Sequence, residues 1–290
     1  MNIILGSTGQ IGSMLVQNLL EKGEKVRAVV RDEVKAENLK KIGAEVVTAD
    51  YFDVDALKKA FNGGKTVFLL TPENPESNNF LIDTKKIIDN YRDAILSSSI
   101  TKIVGLSSMG AHNKDNTGNL MASYMLENAF LDLDIKQVFV RPAYYFSNWI
   151  GYIDLIKEYG ILPTFFPINM SLPMISPIDV SKFLSDVIVN EEYKERVYEI
   201  TGPKAYSPLE IAEIFEKTLN KEVNLQLILP EEWEKTLLES GFTKDSAENL
   251  ILMTKATIDG KGESGMKNII TLSMDFKEYL ENVLQKVLIK

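Results

Sequence analysis

Gly6-Ser7-Thr8-Gly9-Gln10-Ile11-Gly12 is the stretch of this chain whose residue types and spacing point most directly to chemistry. It follows the apolar run Asn2 to Leu5 and leads into Ile11, Leu15 and Leu19, whose four-residue spacing is that of an inward-facing helix stripe. A glycine-rich turn between strand and helix can press backbone N–H groups against a pyrophosphate, and the helix N-terminus adds oriented donors and partial positive charge. In that reading Gly6 permits the tight turn, Gly9 lets the backbone approach the phosphates, and Gly12 lets the helix pack closely on the sheet. Thr8, Gln10 and Ile11 complete the loop. A tight turn holding no ligand is the plainer alternative; the agreement of strand, spacing and helix favours a dinucleotide site.

Arg31 stands where a second contact to such a ligand would fall, just past Val29-Val30. A carboxylate at the end of the second strand accepts hydrogen bonds from ribose hydroxyls and suits NAD, whereas a guanidinium matches a 2′-phosphate bidentately and suits NADP. Lys35, one helical turn on, adds charge, while Asp32 could take the NAD-type role. Solvated loop charges are the plainer reading of Arg31 and Asp32; the strand-end chemistry favours NADP over NAD.

Few other side chains can do covalent or acid–base work. The chain has no cysteine, which excludes disulfides, thiolate nucleophiles and Cys-ligated metals. It has one histidine, His112. A metal would need carboxylate ligands, and no D-x-[DN]-x-[DN]-G loop occurs, so none is expected. Ser107 and Ser108 end an apolar run and could polarise a carbonyl, although hydrogen bonding at a strand end is the plainer role for both. The formal net charge of -9 argues against nucleic acid or an anionic membrane as a partner, because phosphate binding needs clustered Lys and Arg.

The hydrophobic pattern supplies the scaffold. Runs at Asn2 to Leu5, Lys25 to Val30, Glu45 to Thr48, Thr66 to Leu70, Lys102 to Leu106, Gln137 to Val140 and Val197 to Ile200 are mostly rich in Val, Ile and Leu. They show little alternation, as parallel strands buried on both faces do. Helical stretches lie between them; Asp53-Val54-Asp55-Ala56-Leu57 opens one that Gly63-Gly64 ends. This alternation predicts an α/β fold, a doubly wound parallel sheet of Rossmann type.

After Arg141-Pro142 the pattern changes. Tyr144, Tyr145, Phe146 and Trp149 crowd together, and Gly160 to Pro173 reads as a loop-rich insertion. Pro177-Ile178-Asp179-Val180 starts a helix with Asp179 in its first turn, Ser207-Pro208-Leu209-Glu210 starts another with a capping box, and Phe276 to Val287 forms a terminal helix. Residues 1–150, completed by about 176–202, are expected to form the dinucleotide-binding domain. Residues 151–175 and 203–290 are expected to form a smaller mixed C-terminal lobe for substrate or partner. No apolar run approaches the ~20 residues of a membrane span, and no charged leader precedes the first strand, so a cytoplasmic protein is expected.

The motifs in their order resemble the short-chain dehydrogenase/reductase superfamily in its extended and atypical branches, with G-x-x-G-x-x-G differing from the dehydrogenase G-x-G-x-x-G by one residue. Val29-Val30-Arg31-Asp32, Thr48-Ala49-Asp50 before the Asp53 helix, and Leu106-Ser107-Ser108 follow in turn. Arg141-Pro142-Ala143-Tyr144-Tyr145-Phe146-Ser147-Asn148, Pro177-Ile178-Asp179-Val180 and Tyr198-Glu199-Ile200-Thr201-Gly202-Pro203 complete the series. Together they look most like the NmrA-like branch, over roughly residues 1 to 220. That branch includes NADPH-dependent quinone reductases and catalytically silent redox sensors. The resemblance implies that Asp50 contacts adenine. It also implies that Leu70, Thr71 and Pro72, then Ser107, then Pro142, Tyr144, Tyr145 and Phe146 line the nicotinamide end. For any single aromatic here, core packing is an equal alternative.

The superfamily's Tyr-x-x-x-Lys pair, in which a lysine lowers the pKa of a proton-carrying phenol, is missing. Counting back from Arg141-Pro142, its positions fall on Asn119 and Ser123; Tyr124 is nearby, but four residues on stands Asn128. The third residue of the Ser107-Ser108 run, where sugar epimerases often place a hydroxyl, is Met109. Ser108 and Tyr124 are the catalytic candidates that remain. Three functions stay open: an NADPH-dependent oxidoreductase acting on a quinone-like or small carbonyl acceptor, a non-catalytic NADP(H) sensor that signals to a protein partner, and a nucleotide-sugar epimerase. Epimerisation needs a strong acid/base pair, so the missing motif counts against the last.

Overall fold

The computed structural model describes residues 1–288. All seven predicted strands form. They are β1 (Asn2–Ile4), β2 (Val26–Val30), β3 (Glu45–Thr48), β4 (Thr66–Leu70), β5 (Lys102–Leu106), β6 (Lys136–Pro142) and, after three short strands, β10 (Val197–Thr201). The short ones are β7 (Tyr144–Tyr145), β8 (Ile161–Thr164) and β9 (Leu172–Ile175); β11 (Ala205–Tyr206), β12 (Asn224–Leu227) and β13 (Ile269–Thr271) follow β10. The main sheet has eight strands in the order β13-β10-β6-β5-β4-β1-β2-β3, all paired in parallel. Winding reverses between β1 and β4, so the C-terminal ends of these two strands flank the crevice where such sheets bind ligands.

The helices are α1 (Gln10–Glu21), α2 (Glu37–Lys41), α3 (Val54–Phe61), α4 (Phe80–Leu96), α5 (Leu120–Asn128), α6 (Ser147–Ile150), α7 (Ile153–Tyr159), α8 (Pro177–Val189), α9 (Pro208–Leu219), α10 (Trp233–Glu239), α11 (Lys244–Ile258) and α12 (Phe276–Leu288). Successive strand residues feed opposite faces of the sheet. Ile4, Phe68, Val104 and Val138 pack with Leu15 and Leu19 of α1 and Val180 and Leu184 of α8. Ile3, Val67, Ile103 and Phe139 pack with Leu57 and Phe61 of α3, Ile87 and Tyr91 of α4 and Leu126 of α5. Burial on both faces is why these strands read as continuous apolar runs.

Local signals hold where capping chemistry is strong. Asp53 caps α3 by accepting from Asp55 and Ala56 N–H, both at 3.0 Å. Ser207 and Glu210 close a full capping box on α9. Two stretches differ from the sequence reading. Gly160 to Pro173 is not simply a loop, because it contains β8 and the start of β9; β8 pairs only with β12, so Pro163 costs no central ladder hydrogen bond. β13, from the region assigned to the lobe, returns to the main sheet as its edge beside β10. A third core gathers Phe146, Trp149, Phe166, Tyr206, Phe215, Phe276 and Tyr279. Among the described residues, no helix is long and apolar enough to cross a membrane, and no group of three His, Asp or Glu side chains is placed to hold a metal ion.

Candidate functional site

The glycine turn leaves β1 at the switch point and enters α1. Gly6 has φ 63°, the left-handed region, and its N–H donates to the Tyr51 phenol oxygen at 2.7 Å. Gly9 N–H closes the turn on Gly6 O at 2.9 Å, and Ser7 is locked inward, its hydroxyl donating to Ile4 O at 2.6 Å. Thr8, Gly9 and Gln10 are exposed, while the Ile11 and Gly12 side positions are buried. A Cβ on Gly12 would lie 2.1 Å from Gly6 O, so only glycine lets α1 start this close to the turn. α1 has no side-chain cap and no acidic residue in its first turn. Among the described residues, the N–H groups of Gln10, Ile11 and Gly12 have no side-chain acceptor, as an anion-binding helix start requires. This donor set fits a pyrophosphate.

Arg31, Lys35 and Asp50 are all exposed. Among the described residues neither Arg31 nor Lys35 has an ion-pair partner, whereas Lys40 pairs with Glu33. Asp32 is engaged locally, its Oδ1 accepting from Val34 N–H at 2.9 Å, and Asp50 Oδ1 accepts from Phe52 N–H at 2.8 Å. Arg31 and Asp50 converge on Tyr51. Burial raises the pKa of its phenol, the Gly6 N–H and the Arg31 charge lower it, and the Asp50 charge raises it. The structure thus brings Arg31, Asp50 and the glycine turn to one end of the sheet.

The other end of the crevice is built from β4, β5 and β6. Leu70 packs on Gly6, where an added Cβ would meet Leu70 Cδ2 at 2.7 Å, and half-buried Thr71 and Pro72 lead onward to Glu73. At the end of β6, Pro142 is buried and Tyr144 and Tyr145 are half-buried; Pro142 O accepts from Met109 N–H at 3.0 Å. Tyr144 meets Phe166 edge-on at 5.5 Å between ring centroids. Phe146 does not line the crevice as expected: it is fully buried, packed with Trp149 in the third core. Burial pushes the Tyr144 and Tyr145 phenols well up, and the Glu73 charge pushes both the same way.

Two features of this crevice escape the sequence reading. Gln10 is held by Ser147, whose hydroxyl donates to Gln10 Oε1 at 3.0 Å, and by Tyr279, whose oxygen accepts from Gln10 Nε2 at 3.4 Å. Glu73 faces Asn119, whose Nδ2 donates to Oε1 at 3.5 Å. Partners separated by 137 and 269 residues in one case and 46 in the other leave no local signal.

The serine and tyrosine candidates are placed less freely. Ser107 is buried and donates to Glu127 Oε1 at 2.5 Å; Ser108, half-buried, donates to Met109 O at 3.1 Å. Asn119 is the N-cap of α5 and Ser123 is buried within it. Tyr124 is half-buried, and its backbone carbonyl accepts from Asn128 Nδ2 at 2.7 Å. No lysine stands one turn after Tyr124.

An eight-stranded parallel sheet with a glycine turn at its switch point defines a Rossmann-type α/β protein. The chain belongs to the NmrA-like family, whose model matches residues 2–280. It is 26% identical over 254 residues to the prestalk A differentiation protein A of Dictyostelium discoideum, covering 86% of this chain and 79% of that protein. It is 23% identical over 253 residues to the NAD(P)H azoreductase of Xenophilus azovorans, covering 86% and 84%. The crystal structure of an NADPH-dependent quinone oxidoreductase complexed with NADPH, from Escherichia coli, matches with a TM-score of 0.76 at 22% identity, over 98% of this chain and 100% of that one. At such identity the structural likeness is one of fold.

Proposed function

We propose that this protein is an NADPH-dependent reductase of an electron-poor acceptor of the quinone type. The observation that carries this is an uncapped glycine turn at the switch point of the sheet, beside an exposed Arg31 that, among the described residues, has no ion-pair partner. The first-turn N–H groups of α1 would hold the pyrophosphate, Arg31 and Lys35 the 2′-phosphate, and Asp50 the adenine side. The cofactor would supply hydride. Thr71, Pro72, Tyr144 and Tyr145 would hold the acceptor in line and exclude water, so orientation is the main contribution. An acceptor that takes hydride readily does not require the Tyr–Lys pair. The azoreductase and quinone oxidoreductase names among similar proteins support the same reading.

The test is NADPH oxidation against a panel of quinones, beside fluorescence titration with NADPH and NADH. A second reading, a sensor of NADP(H) without turnover, is favoured by one observation: Asn119 and Ser123 stand where the Tyr–Lys pair would be, so that pair is missing from α5. Tight NADPH binding with no oxidation of any quinone would select it.

Two variants sharpen the assignment. Arg31→Ala should erase most of a preference for NADPH over NADH while leaving NADH affinity nearly unchanged. A charge-assisted contact of ~1.5–3 kcal/mol corresponds to roughly ten- to over a hundredfold in affinity. Equal wild-type affinity for the two cofactors would overturn the role of Arg31. Tyr124→Phe should change turnover by less than about tenfold, against the 10²–10⁴-fold typical of removing a general acid. A loss of several hundredfold, with fold and cofactor affinity intact, would make Tyr124 the acid.

A further inference from the structure

We infer that Glu73 is a catalytic residue: the side chain that gives a proton to the acceptor when hydride arrives. The inference rests on the reductase reading above and supplies the proton donor that α5 lacks. Glu73 lies three residues past β4, at the switch point of the sheet, on the segment that leads out of Leu70-Thr71-Pro72. Its charge reaches Tyr144 and Tyr145, the side chains that the reductase reading sets against the acceptor. Asn119 Nδ2, at 3.5 Å from Oε1, orients the carboxyl, and among the described residues no hydrogen bond engages Oε2.

The surroundings favour the acid form. Protein atoms crowded around the carboxyl raise the Glu73 pKa although the side chain still reaches solvent, and the Asn119 hydrogen bond offsets this only in part. The titratable groups its charge reaches are the phenols of Tyr144 and Tyr145; among the described residues no Lys or Arg pairs with it. Water reaches the carboxyl through the open crevice, since Glu73 is solvent-exposed. A ligand filling the crevice removes that water and shifts the carboxyl further toward the acid. The proposed step balances with a reduced nicotinamide as hydride donor. The quinone gains a hydride, carrying two electrons and one proton, and takes a second proton from the Glu73 carboxylic acid to one of its oxygens. Hydroquinone, the oxidised nicotinamide and the Glu73 carboxylate result, and water reprotonates the carboxylate. Because the acid form is the active one, turnover should be flat at low pH and fall as pH rises through the raised Glu73 pKa.

The test compares wild type with Glu73→Gln and Glu73→Asp for quinone turnover against pH, NADPH affinity by fluorescence, and the infrared carbonyl stretch of protonated carboxyls in protein without cofactor. Glu73→Gln should lose at least about 100-fold in kcat, with NADPH affinity within about twofold of wild type and no high-pH limb; Glu73→Asp should recover part of the rate and the limb. The infrared band of a protonated carboxyl should titrate above the ordinary glutamate range in wild type and vanish in Glu73→Gln. Turnover within about threefold of wild type, a rise in KM alone, or no such band would each overturn the assignment. Wild-type protein that binds NADPH but oxidises no quinone would overturn the reductase reading, and Glu73 as its acid with it. A Glu73→Gln variant that turns over quinone as fast as an active wild type would overturn the Glu73 role alone.

Discussion

Arg141→Met should lower the folding stability of this protein by about 3–5 kcal/mol, the cost of leaving a buried charge without its partner. Arg141 lies at the end of β6 and is 8% exposed. Its Nε and Nη2 donate to the two oxygens of Glu127 on α5, each at 2.7 Å, and its Nη1 donates to Glu199 Oε1 on β10 at 3.1 Å. Burial alone would pull the guanidinium pKa down; the hydrogen bonds and charges of Glu127 and Glu199 reverse this and raise it. Around the triad, Ser107 donates to Glu127, and Ser264 and Gly265 N–H donate to Glu199. The cluster therefore ties β5, β6, β10, α5 and the segment before β13 at the C-terminal end of the sheet. Removing Arg141 strands two carboxylates there. Neutralising them as well, by adding Glu127→Gln and Glu199→Gln, should restore part of the loss, because carboxamide oxygens can still accept from the serines and no net charge stays buried. The check is the urea midpoint and slope of the single and triple variants. A single variant within about 1 kcal/mol of wild type, or a triple variant less stable than the single, would show that the triad does not hold this end together.

The same triad shows where sequence reading stops. Arg141-Pro142 is conspicuous as the end of a strand, but its partners lie 14 and 58 residues away on other elements, and nothing local marks Glu127 or Glu199. The strands were legible because each central one is buried on both faces and cannot avoid a run of Val, Ile and Leu. β13 was not: it is an edge strand of three residues, two of them exposed, in a stretch of polar neighbours. The phosphate turn was legible because its requirement is local. A left-handed turn, a bare backbone and a close helix approach fall within seven consecutive residues. Glu73 was illegible because one carboxylate in a Pro- and Asn-rich loop carries no pattern. Its meaning comes from Asn119, Tyr144 and Tyr145, which the fold brings to it from the start of α5 and from β7.

That local requirement makes the glycines separable by experiment. Gly9→Val should abolish NADPH binding, by roughly 100-fold or more in affinity, in a protein that stays folded. Gly9 has φ -80° and ψ 171°, an extended conformation that any residue adopts. Its added Cβ would meet Gly6 O at 3.2 Å, a contact that a shift of a few tenths of an ångström relieves. The valine branches would then project over the exposed turn, where a pyrophosphate must touch the first-turn N–H groups of α1. Losing one or two charge-assisted hydrogen bonds of ~1.5–3 kcal/mol each accounts for the expected affinity loss. Gly12→Ala should behave differently, although alanine is the smaller addition. Its Cβ would sit 2.1 Å from Gly6 O and 2.7 Å from Gly6 C, both backbone atoms that the Tyr51 hydrogen bond and the Leu70 contact hold in place. α1 would have to back away from the sheet, taking Leu15 and Leu19 out of register with Ile4 and Val180, so stability and binding should fall together. Calorimetric titration with NADPH and thermal unfolding of both variants decide the matter. Wild-type affinity in Gly9→Val would place the dinucleotide elsewhere, and undiminished stability in Gly12→Ala would mean that α1 does not start as close to the turn as this geometry requires.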